Sequence, residues 1–441
     1  MKFLFINAID TTQAVQRKYP PLGIGHLISA LREGFPDQIE FRVVDRDIEK
    51  TLKEFKPDIV GISSVTQNFN RAIEYAKTVK EFDPLTWVLV GGVHISMVPS
   101  SLTEDMDVGI IGEGELTICE LVDFYLNFRV TDFRGIIYHE NGKVRATEKR
   151  PPIKPLDSLP PPARDLFPVL PETYMFTSRG CPYKCSFCSS TRFWKGVRYF
   201  SPEYIVAEIE RLKGARSINF YDDIFPLSIQ RVRRTTALLR EKGLLGTITF
   251  SCAIRANMVN DEIILALKEM GVTSIGLGLE SGSEHTLQYL KGPTVTLSDN
   301  ENAIHTIKRH GLEVSGTFII GSPHESYFNV METYDFIKKH RLAAVCVYPL
   351  TPLPGTPVWD YALSRGLVSE PMDWSRLDVE HSHPIVLSER LTREQLTNLL
   401  TMFSRLRARR HLFRLTRVAL RHPTRIPTFV YRKLLELRYG K

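Results

Sequence analysis

Three cysteines that lie within eight residues of one another are the strongest chemical signal in this sequence. They are Cys181, Cys185 and Cys188, in the segment RGCPYKCSFC that spans residues 179–188. A cubane iron–sulfur cluster is normally held by four thiolates, so three thiolates leave one iron without a protein ligand. Such an iron can bind a small molecule beside a reducible centre, and the loop therefore indicates chemistry as well as electron transfer.

Two other uses of cysteine fit the sequence less well. Zinc sites usually pair cysteines as C-x2-C with a second pair further along, whereas here the gaps are three and two residues and no second pair follows. Disulfide frameworks are typical of short secreted chains, whereas this chain has 441 residues and six cysteines. Residues 1–7 are predicted to form a strand with no long apolar stretch behind it, so we expect no secretory leader. Structural zinc and a disulfide remain the weaker alternatives.

The spacing C-x3-C-x2-C, with Phe187 directly before the last cysteine, resembles the motif of the radical S-adenosylmethionine (SAM) superfamily. This resemblance implies that Cys181, Cys185 and Cys188 hold a 4Fe–4S cluster whose open iron binds SAM. It implies an enzyme that cleaves SAM to a 5′-deoxyadenosyl radical, and it assigns Phe187 to the SAM site.

The chain after the cysteines alternates short apolar strands with helices, which predicts parallel strands joined by crossover helices. The predicted strands cover residues 173–178, 217–221, 247–254, 273–279, 314–320 and 343–348. Helices are predicted between them, for example over Pro202–Lys213 and Asp261–Met270. Six such units resemble the partial (β/α)6 barrel of radical SAM enzymes, an α/β fold in which the chemistry takes place at the carboxyl ends of the strands.

Polar residues follow the second and third of these predicted strands. Tyr221, Asp222 and Asp223 match the position that contacts the SAM amino group in the family, although aspartate also serves as a helix N-cap. Arg255 could pair with the carboxylate of SAM or with a carboxylate of the protein, and both alternatives stay open.

The fourth and fifth predicted strands carry further residues of the same resemblance. The segment GLGLESGS at 276–283 resembles a stretch in which Glu280 and Ser281 bind SAM, and its glycines would let the backbone approach a ligand closely. Ile319 belongs to an apolar strand that resembles the one holding the adenine.

The first 150 residues also alternate strand and helix. Strands are predicted over 2–7, 40–45, 58–65, 87–90 and 108–111, which indicates a five-stranded parallel sheet in a doubly wound, Rossmann-like domain. Domains of this kind bind ligands at the carboxyl ends of their strands. Here those ends carry small residues, in the segments GISSVT (61–66), GGVH (91–94) and GEGE (112–115), which leave room for a large flat ligand. The pair Gly23 and Gly25 lacks the third glycine of a dinucleotide fingerprint, so we do not expect NAD or FAD.

Placed ahead of a radical SAM barrel, this domain resembles the cobalamin-binding domain of cobalamin-dependent radical SAM enzymes. The motifs that carry the resemblance are PPLG at 20–23, the Gly91-Gly92 turn and the GEGE segment. It implies a cobalamin site formed by Ser63, Ser64, Thr66, Gly91, Gly92, Val93, Gly112 and Glu113. No histidine stands two residues after an aspartate, so the Asp-x-His cobalt ligand of many mutases is absent, and we interpret His94 as packing or a surface polar group. A domain that keeps the fold without the cofactor stays an open alternative.

These patterns predict four parts of the chain. They are a cobalamin-binding-like Rossmann domain at 1–149, a linker at 150–171, a radical SAM partial barrel at 172–360, and a helical C-terminal region with a basic tail at 361–441. The linker has eight prolines in twenty-two positions, which predicts a stiff, extended spacer.

The positive charge of the chain is concentrated at its end. The net charge is +7, yet residues 405–441 contain twelve basic residues and one acidic residue, which leaves 45 basic and 49 acidic residues elsewhere. The tail alternates apolar and basic residues at helical spacing, which favours packing on the barrel and leaves peripheral contact with an anionic membrane as an alternative. We expect no nucleic-acid partner.

The resemblance implies a cobalamin-dependent methyltransferase that uses a 4Fe–4S cluster, SAM and cobalamin to methylate an unactivated carbon of a small-molecule substrate. It also implies an electron donor such as flavodoxin, ferredoxin or a dedicated reductase, and an iron–sulfur cluster favours a reducing, cytoplasmic setting. One alternative is a radical SAM dehydratase, cyclase or rearrangement enzyme, with lyase or oxidoreductase chemistry, whose N-terminal domain does not use cobalamin. Another is a protein that only carries cobalamin or a cluster. The patterns predict no catalytic acid, base or hydrogen donor.

Overall fold

Two sheets organise the fold, one within residues 1–146 and one within residues 172–349. The structure is a computed structural model, and it describes residues 1–18, 20–129, 132–378 and 384–421.

The N-terminal sheet has seven strands. They are β1 (Lys2–Ala8), β2 (Glu40–Val44), β3 (Ile59–Ser64), β4 (Trp87–Gly91), β5 (Val108–Ile110), β6 (Ile136–Glu140) and β7 (Lys143–Ala146). Their spatial order is β2-β1-β3-β4-β5-β6-β7, and the first five strands along the chain pair in parallel, as predicted.

The predicted sheet of five strands was too small, because β6 and β7 extend it as an antiparallel hairpin. Asn141 and Gly142 form its two-residue loop with φ angles of 52° and 71°. Asn-Gly is the dipeptide that such a hairpin turn prefers, so this signal was present in the sequence.

Helices cover both faces of this sheet. They are α1 (Ala14–Arg17), α2 (Leu22–Gly34), α3 (Ile48–Phe55), α4 (Phe69–Phe82), α5 (Val93–Met97) and α6 (Glu115–Asn127). Phe3 and Phe5 of β1 share one hydrophobic core with α2 and α6, whereas Leu4 and Ile6 share another with α3 and α4. A strand that is buried on both faces reads as a continuous apolar run, which explains the sequence KFLFINA.

The second sheet is the partial barrel. Its strands are β8 (Glu172–Met175), β11 (Ser217–Phe220), β12 (Thr249–Ile254), β13 (Val272–Glu280), β14 (Glu313–Ile320) and β15 (Ala344–Pro349), all parallel and in the order β15-β14-β13-β12-β11-β8. A short antiparallel ribbon lies beside it, formed by β9 (Ser178–Arg179) and β10 (Arg198–Tyr199). The first predicted strand, 173–178, therefore divides into β8 and the start of the ribbon, while the other five lie close to their predicted positions.

Helices connect the barrel strands. They are α7 (Ser190–Phe193), α8 (Pro202–Arg211), α9 (Ile229–Glu241), α10 (Asp261–Met270), α11 (Glu284–Lys291), α12 (Leu297–Arg309) and α13 (Tyr327–His340). The helix α10 has the predicted bounds because Asn260 caps its start and Gly271 ends it in a left-handed conformation. Alternate residues of β14, such as Phe318 and Ile320, are buried, and the residues between them face the inside of the barrel.

The C-terminal region returns to both sheets. It contains α14 (Pro357–Ser364) and α15 (Arg393–Arg421). Trp359 and Trp374 pack into the hydrophobic core that includes β1, while Leu396 and Phe403 of α15 pack into the core of the barrel. Leu406, at the start of the basic tail, packs on the same barrel core, whereas residues 422–441 of the tail lie outside the described residues.

The proline-rich segment contacts both halves of the molecule. Ser29 of α2 donates a hydrogen bond to the carbonyl of Pro161 (2.7 Å), and Arg164 pairs with Glu208 of α8, with 3.1 Å between Nε and Oε1. The segment is thus held along its length, while the exact boundaries of the four predicted parts stay predictions. Within the described part of the chain, no helix is long and apolar enough to cross a membrane.

Candidate active site

The three-cysteine loop runs from β9 to α7, and all three thiols are free and partly buried. Gly180 introduces the loop at φ +94°, and a Cβ there would lie 2.1 Å from the carbonyl oxygen of Gly196. Ser186 fixes the middle of the loop, since its N–H donates to the carbonyl of Leu290 at the end of α11 (2.9 Å). Position 180 therefore requires glycine for two reasons: the positive φ of the turn, and the close approach of the backbone at Gly196.

The chemistry of this loop suits iron better than free thiols. Burial raises the pKa of Cys188 to about 11 and also raises that of Cys181, so a positive charge or a bound metal ion is needed to stabilise their thiolate forms. Among the described residues, no three His, Cys, Asp or Glu side chains converge on one point as ligands of a single ion would. In a cubane each thiolate binds a different iron, and the donor set of this loop fits that arrangement.

Arg255, at the end of β12, supplies positive charge at the loop. Its Nη1 donates to Sγ of Cys185 (3.3 Å), and its Nη2 donates to the carbonyl of Lys291 and the hydroxyl of Thr294. The guanidinium also lies over the ring of Tyr183, 4.1 Å from its centroid. Arg255 has no carboxylate among these partners, and its buried Nε has no hydrogen-bond partner in the structure. A buried polar atom without a partner is uncommon in folded proteins, so a bound ligand that accepts from this Nε would satisfy it.

Glu280 and Ser281 lie together at the end of β13 but differ in their surroundings. Glu280 is buried at φ +59°, and its Oε1 lies 3.2 Å from Nζ of Lys291. A left-handed conformation costs free energy for a residue other than glycine, and such strain is commonly found at functional sites. The hydroxyl of Ser281 is fully buried, contacts Thr333 (3.1 Å) and accepts the N–H of Ser283. Ser281 therefore anchors the turn, and contact with SAM stays a prediction for both residues.

The acidic pair after β11 also divides into two roles. Asp222 is buried and accepts hydrogen bonds from the N–H groups of Thr177 and Ser178 (2.6 and 3.1 Å), so it holds the turn before the ribbon. Burial raises its pKa to about 6, although these donors oppose the shift. Asp223 borders a cavity of about 530 Å³ together with Cys188, and burial raises the pKa of Asp223 as well. Asp223 is therefore the better placed of the two to meet a ligand.

Tyr221 faces a different space. It is 55% exposed and borders a second cavity of about 360 Å³ on the inside of the barrel. Half of the residues that line this cavity are small, namely Ser251, Ala253, Ser274, Gly276 and Ser315. Ile319 lies on the inner side of β14, and both Ile319 and Phe187 pack against the hydrophobic core that includes β1.

The cavity of about 530 Å³ lies between the two sheets. On the barrel side it is bordered by Phe187, Cys188, Phe193, Trp194 and Asp223. On the other side it is bordered by seven of the eight residues predicted for cobalamin: Ser63, Ser64, Gly91, Gly92, Val93, Gly112 and Glu113. The eighth, Thr66, is buried in the 3-10 turn after β3 and does not border the cavity. Residues predicted for cobalamin and residues of the thiol loop thus border one continuous space.

Gly92 shapes the cavity wall at the end of β4. It has φ +108°, and a Cβ there would lie 2.2 Å from the carbonyl oxygen of Ser64. Only glycine allows two strand ends to approach so closely, and Gly91 and Gly92 add no side chain to the cavity wall. Strand ends of this kind fit the face of a corrin ring.

No imidazole reaches this space from the described part of the chain. His94 is fully buried between the rings of Phe69 and Trp374, with centroid distances of 4.0 and 4.4 Å, and its Nε2 contacts Ser101. Burial lowers its pKa to about 3, so it is a neutral packing residue.

Several residues at the cavity were not predicted from the sequence. Arg179, Glu115, Arg198 and Lys291 are all buried and form ion pairs around the site. Glu115 and Arg179 stand within the segments GEGE and RGC, but the patterns there drew attention to glycine and cysteine. Their mutual contact spans more than sixty positions and has no local signal.

Comparisons with known proteins identify both halves of the chain. Residues 175–337 match the model of the radical SAM superfamily, and residues 10–122 match that of the B12 binding domain. An uncharacterized methyltransferase of Pyrococcus horikoshii is 34% identical over 427 residues, which covers 91% of each chain. An anaerobic magnesium-protoporphyrin IX monomethyl ester cyclase of Cereibacter sphaeroides is 26% identical, covering 94% of this chain and 71% of the cyclase.

A solved structure shares the fold. The radical SAM methyltransferase TsrM of Kitasatospora setae, with tryptophan and a SAM analogue bound, superimposes with a TM-score of 0.69 at 19% identity. The match covers 83% of this chain and 77% of TsrM. This chain therefore belongs to the radical SAM superfamily, within its cobalamin-dependent methyltransferase family, and its cofactors are a 4Fe–4S cluster, SAM and cobalamin.

Proposed function

We propose that this enzyme methylates an unactivated carbon of a small-molecule substrate. The observation that supports this most is the shared cavity, because Cys188 and Asp223 border it from one side and the strand ends at Ser63 and Gly92 from the other. A group held by the thiol loop and a group held by the N-terminal sheet would then face one another across a single cavity. Reactants held in such proximity need no diffusion through water.

When bound, the iron–sulfur cluster and SAM supply a carbon radical, and cobalamin supplies the methyl group. Cys181, Cys185 and Cys188 are the residues that we propose as iron ligands, and Arg255 donates to the sulfur of Cys185. Asp223 and Glu280 are the proposed partners for the polar groups of SAM. Asp223 borders the cavity, and Glu280 carries the strained conformation that marks a functional strand end.

Apolar side chains line much of the cavity, among them Leu27, Leu89, Ile110 and Phe193. An apolar lining excludes water, which strengthens the polar interactions made inside the cavity and limits side reactions such as hydrolysis. The substrate itself would approach through the small-residue cavity inside the barrel, where Tyr221 is exposed.

The relatives do not agree on a substrate. They are named for cytidylyl-2-hydroxyethylphosphonate, for bacteriochlorophyllide d and for a hopanoid. We therefore propose methyl transfer to carbon without a named acceptor, with flavodoxin, ferredoxin or a dedicated reductase as the electron donor. We propose for the basic tail that it packs on the barrel, as Leu406 does.

The experiment is anaerobic reconstitution of the full chain with iron, sulfide and hydroxocobalamin, followed by SAM and a chemical reductant. We expect the protein to retain cobalamin through gel filtration, and the supplied SAM to yield both 5′-deoxyadenosine and S-adenosylhomocysteine. The second product reports transfer of the SAM methyl group, which a dehydratase or cyclase has no need to perform. Deoxyadenosine without S-adenosylhomocysteine, or protein that retains no cobalamin, would overturn the proposal in favour of radical chemistry without methyl transfer.

A matched pair of variants assigns the activity to the loop. Cys185→Ala should lose iron and deoxyadenosine formation and keep cobalamin, because the thiol belongs to the barrel-side loop and does not line the cavity. Cys119→Ala removes a free cysteine of α6 whose pKa is raised to about 12 by burial, and it should keep both cofactors.

A further inference from the structure

Four buried charged side chains join the N-terminal sheet to the barrel. Glu113 and Glu115 follow β5, whereas Arg179 and Arg198 belong to the ribbon β9–β10. Arg179 donates from Nη1 to Glu113 and from Nη2 to Oε1 of Glu115 (2.5 Å), while Arg198 donates to Oε2 of Glu113 (2.7 Å). We call these four residues the interdomain ion pairs.

The burial of these four side chains makes each charge depend on its partner. Each of the four side chains is at most 9% exposed. Burial alone would raise the pKa of Glu115, but Arg179 outweighs it and holds this pKa below its ordinary value. A buried charge that loses its partner is strongly destabilising, so each member holds the others in place.

The ribbon itself requires the carboxylates. Arg179 and Arg198 stand directly opposite one another in its antiparallel register, and like charges in that arrangement repel. Glu113 lies between them and pairs with both. The ring of Trp194 is close to both guanidinium groups, with centroid distances of 5.4 and 5.9 Å. The end of β5 thus supplies the carboxylate that offsets the repulsion between the two arginines of the ribbon.

The ion pairs lie between the two walls of the cavity. Glu113 directly follows Gly112 on the wall assigned to cobalamin, and Arg179 precedes Cys181 by two residues on the other wall. Glu113, Glu115, Arg179 and Trp194 all border the cavity. Both oxygens of Glu113 are occupied by arginine, which favours a linking role over direct contact with a cofactor.

We propose that Arg179, fixed by Glu113 and Glu115, is a positioning residue that sets the distance between the thiol loop and the cobalamin wall. This inference rests on the proposed function. A planar guanidinium that reaches two carboxylates at once fixes both distance and orientation, which a single point charge does not. The requirement is strict, because an error of about 1 Å in the alignment of reacting groups can cost about a hundredfold in rate.

The test removes the linkage without leaving a buried charge unpaired. The double variant Arg179→Met with Glu115→Gln deletes one positive and one negative charge, and Glu113 keeps Arg198. The matched control is Arg164→Met with Glu208→Gln, a buried pair of the same kind that joins the linker to α8, away from the cavity. Neutral replacement of a whole buried pair is often tolerated, so both proteins should fold.

The measurement is electron paramagnetic resonance of full-length protein reconstituted with iron, sulfide and cobalamin, with both centres reduced to their paramagnetic forms. The magnetic interaction between two such centres falls with the third power of their separation, and it therefore reports distance without any substrate. We expect the Arg179/Glu115 double variant to keep its iron and cobalamin content and to show a weaker or broadened interaction. We expect its yield of S-adenosylhomocysteine relative to 5′-deoxyadenosine to fall at least about tenfold.

The outcomes separate the two proposals. A wild-type protein that retains no cobalamin overturns the proposed function and this inference with it. A wild-type interaction that persists unchanged in the double variant, or an equal change in the Arg164/Glu208 control, overturns only the positioning role. Loss of a cofactor from the double variant alone would assign the ion pairs to cofactor retention and would also overturn it.

Discussion

The guanidinium of Arg255 donates from Nη1 to Sγ of Cys185 over 3.3 Å, while its Nη2 donates to the carbonyl of Lys291 over 3.1 Å. One side chain from the end of β12 thus connects the thiol loop to the end of α11. Hydrogen bonds to cluster sulfurs help to set reduction potential. Arg255 therefore has two effects that can be measured separately, on the electronics of the loop and on its position.

Replacing Arg255 by methionine tests the electronic effect. We expect Arg255→Met to keep its iron and to lower the reduction potential by about 60 mV, which is about tenfold in a one-electron equilibrium. The potential falls because the positive charge that favours the electron is gone. A spectroscopic redox titration measures it, with Arg233→Met, an exposed arginine paired with Glu262, as the control. Equal potentials in all three proteins would contradict this role.

Two glycines in contact offer a test of the loop geometry. Gly180 and Gly196 both have positive φ, but a Cβ at 180 would lie 2.1 Å from a backbone oxygen, whereas one at 196 has nothing within 4 Å. We expect Gly180→Ala to lose most of its iron, because a backbone clash displaces the loop. Gly196→Ala should lose only about 1–2 kcal/mol of stability, the cost of a left-handed conformation for alanine, and should keep its iron. Iron content and thermal unfolding measure both, and equal behaviour would argue against the clash.

Replacing either of the adjacent residues Asp222 and Asp223 should have different effects on the affinity for SAM. Asp223→Asn removes a charge that borders the cavity, and we expect SAM to bind about tenfold more weakly, as for the loss of one charge-assisted hydrogen bond. Asp222→Asn keeps an oxygen for the N–H groups of Thr177 and Ser178, so SAM affinity should be unchanged. Equilibrium binding to anaerobic, reconstituted protein decides this, and the reverse order would assign the ligand contact to Asp222.

Glu325 predicts a pH dependence of stability. Burial raises the pKa of its carboxyl from 4.5 to about 7, although the N–H groups of Gly321 and Ser322 oppose the shift. Because the folded pKa is the higher one, the stabilisation is complete below about pH 4.5 and is lost as the pH rises through about 7. At about 1.4 kcal/mol per unit of pKa, the loss is about 3 kcal/mol.

Urea unfolding at about pH 5 and about pH 8 measures this loss. Glu325→Gln stays neutral at both values, so its change in stability between them should differ from that of the wild type by about 3 kcal/mol, whereas the exposed Glu262→Gln should match the wild type. The dependence that remains in Glu325→Gln comes from other buried groups such as Asp222 and His94, whose pKa values burial also shifts. A wild-type slope that survives in Glu325→Gln would place its origin at another buried group.

Much of the fold could be predicted because its signals are local. Strand positions such as Lys2–Ala8 and Val272–Glu280 follow from short apolar runs, and α10 follows from Asn260 at its start and Gly271 at its end. The hairpin β6–β7 was missed although Asn141 and Gly142 signal it. The signal for this hairpin is therefore as local as those of the parallel strands.

The roles of neighbouring side chains could not be predicted in the same way. Asp222 and Asp223 are adjacent and chemically identical, yet one holds a turn and the other borders the cavity. Glu113 was assigned to cobalamin from its strand end, but its carboxylate is taken up by arginines from the other sheet. The partner that a side chain at a strand end meets depends on which element packs against that end. The spacing of residues in the sequence does not contain this information.

By itself the sequence determined that three thiols lie in one loop and that two domains of alternating strands and helices follow one another along the chain. Each of these features depends on residues that are close together in the sequence. Only the tertiary structure decided that the thiol loop and the N-terminal strand ends share one cavity, and that Arg179 links Glu113 and Glu115. Those contacts join residues more than sixty positions apart. They exist because two separately built sheets pack against one another, and the free energy of that packing is distributed over many side chains of both.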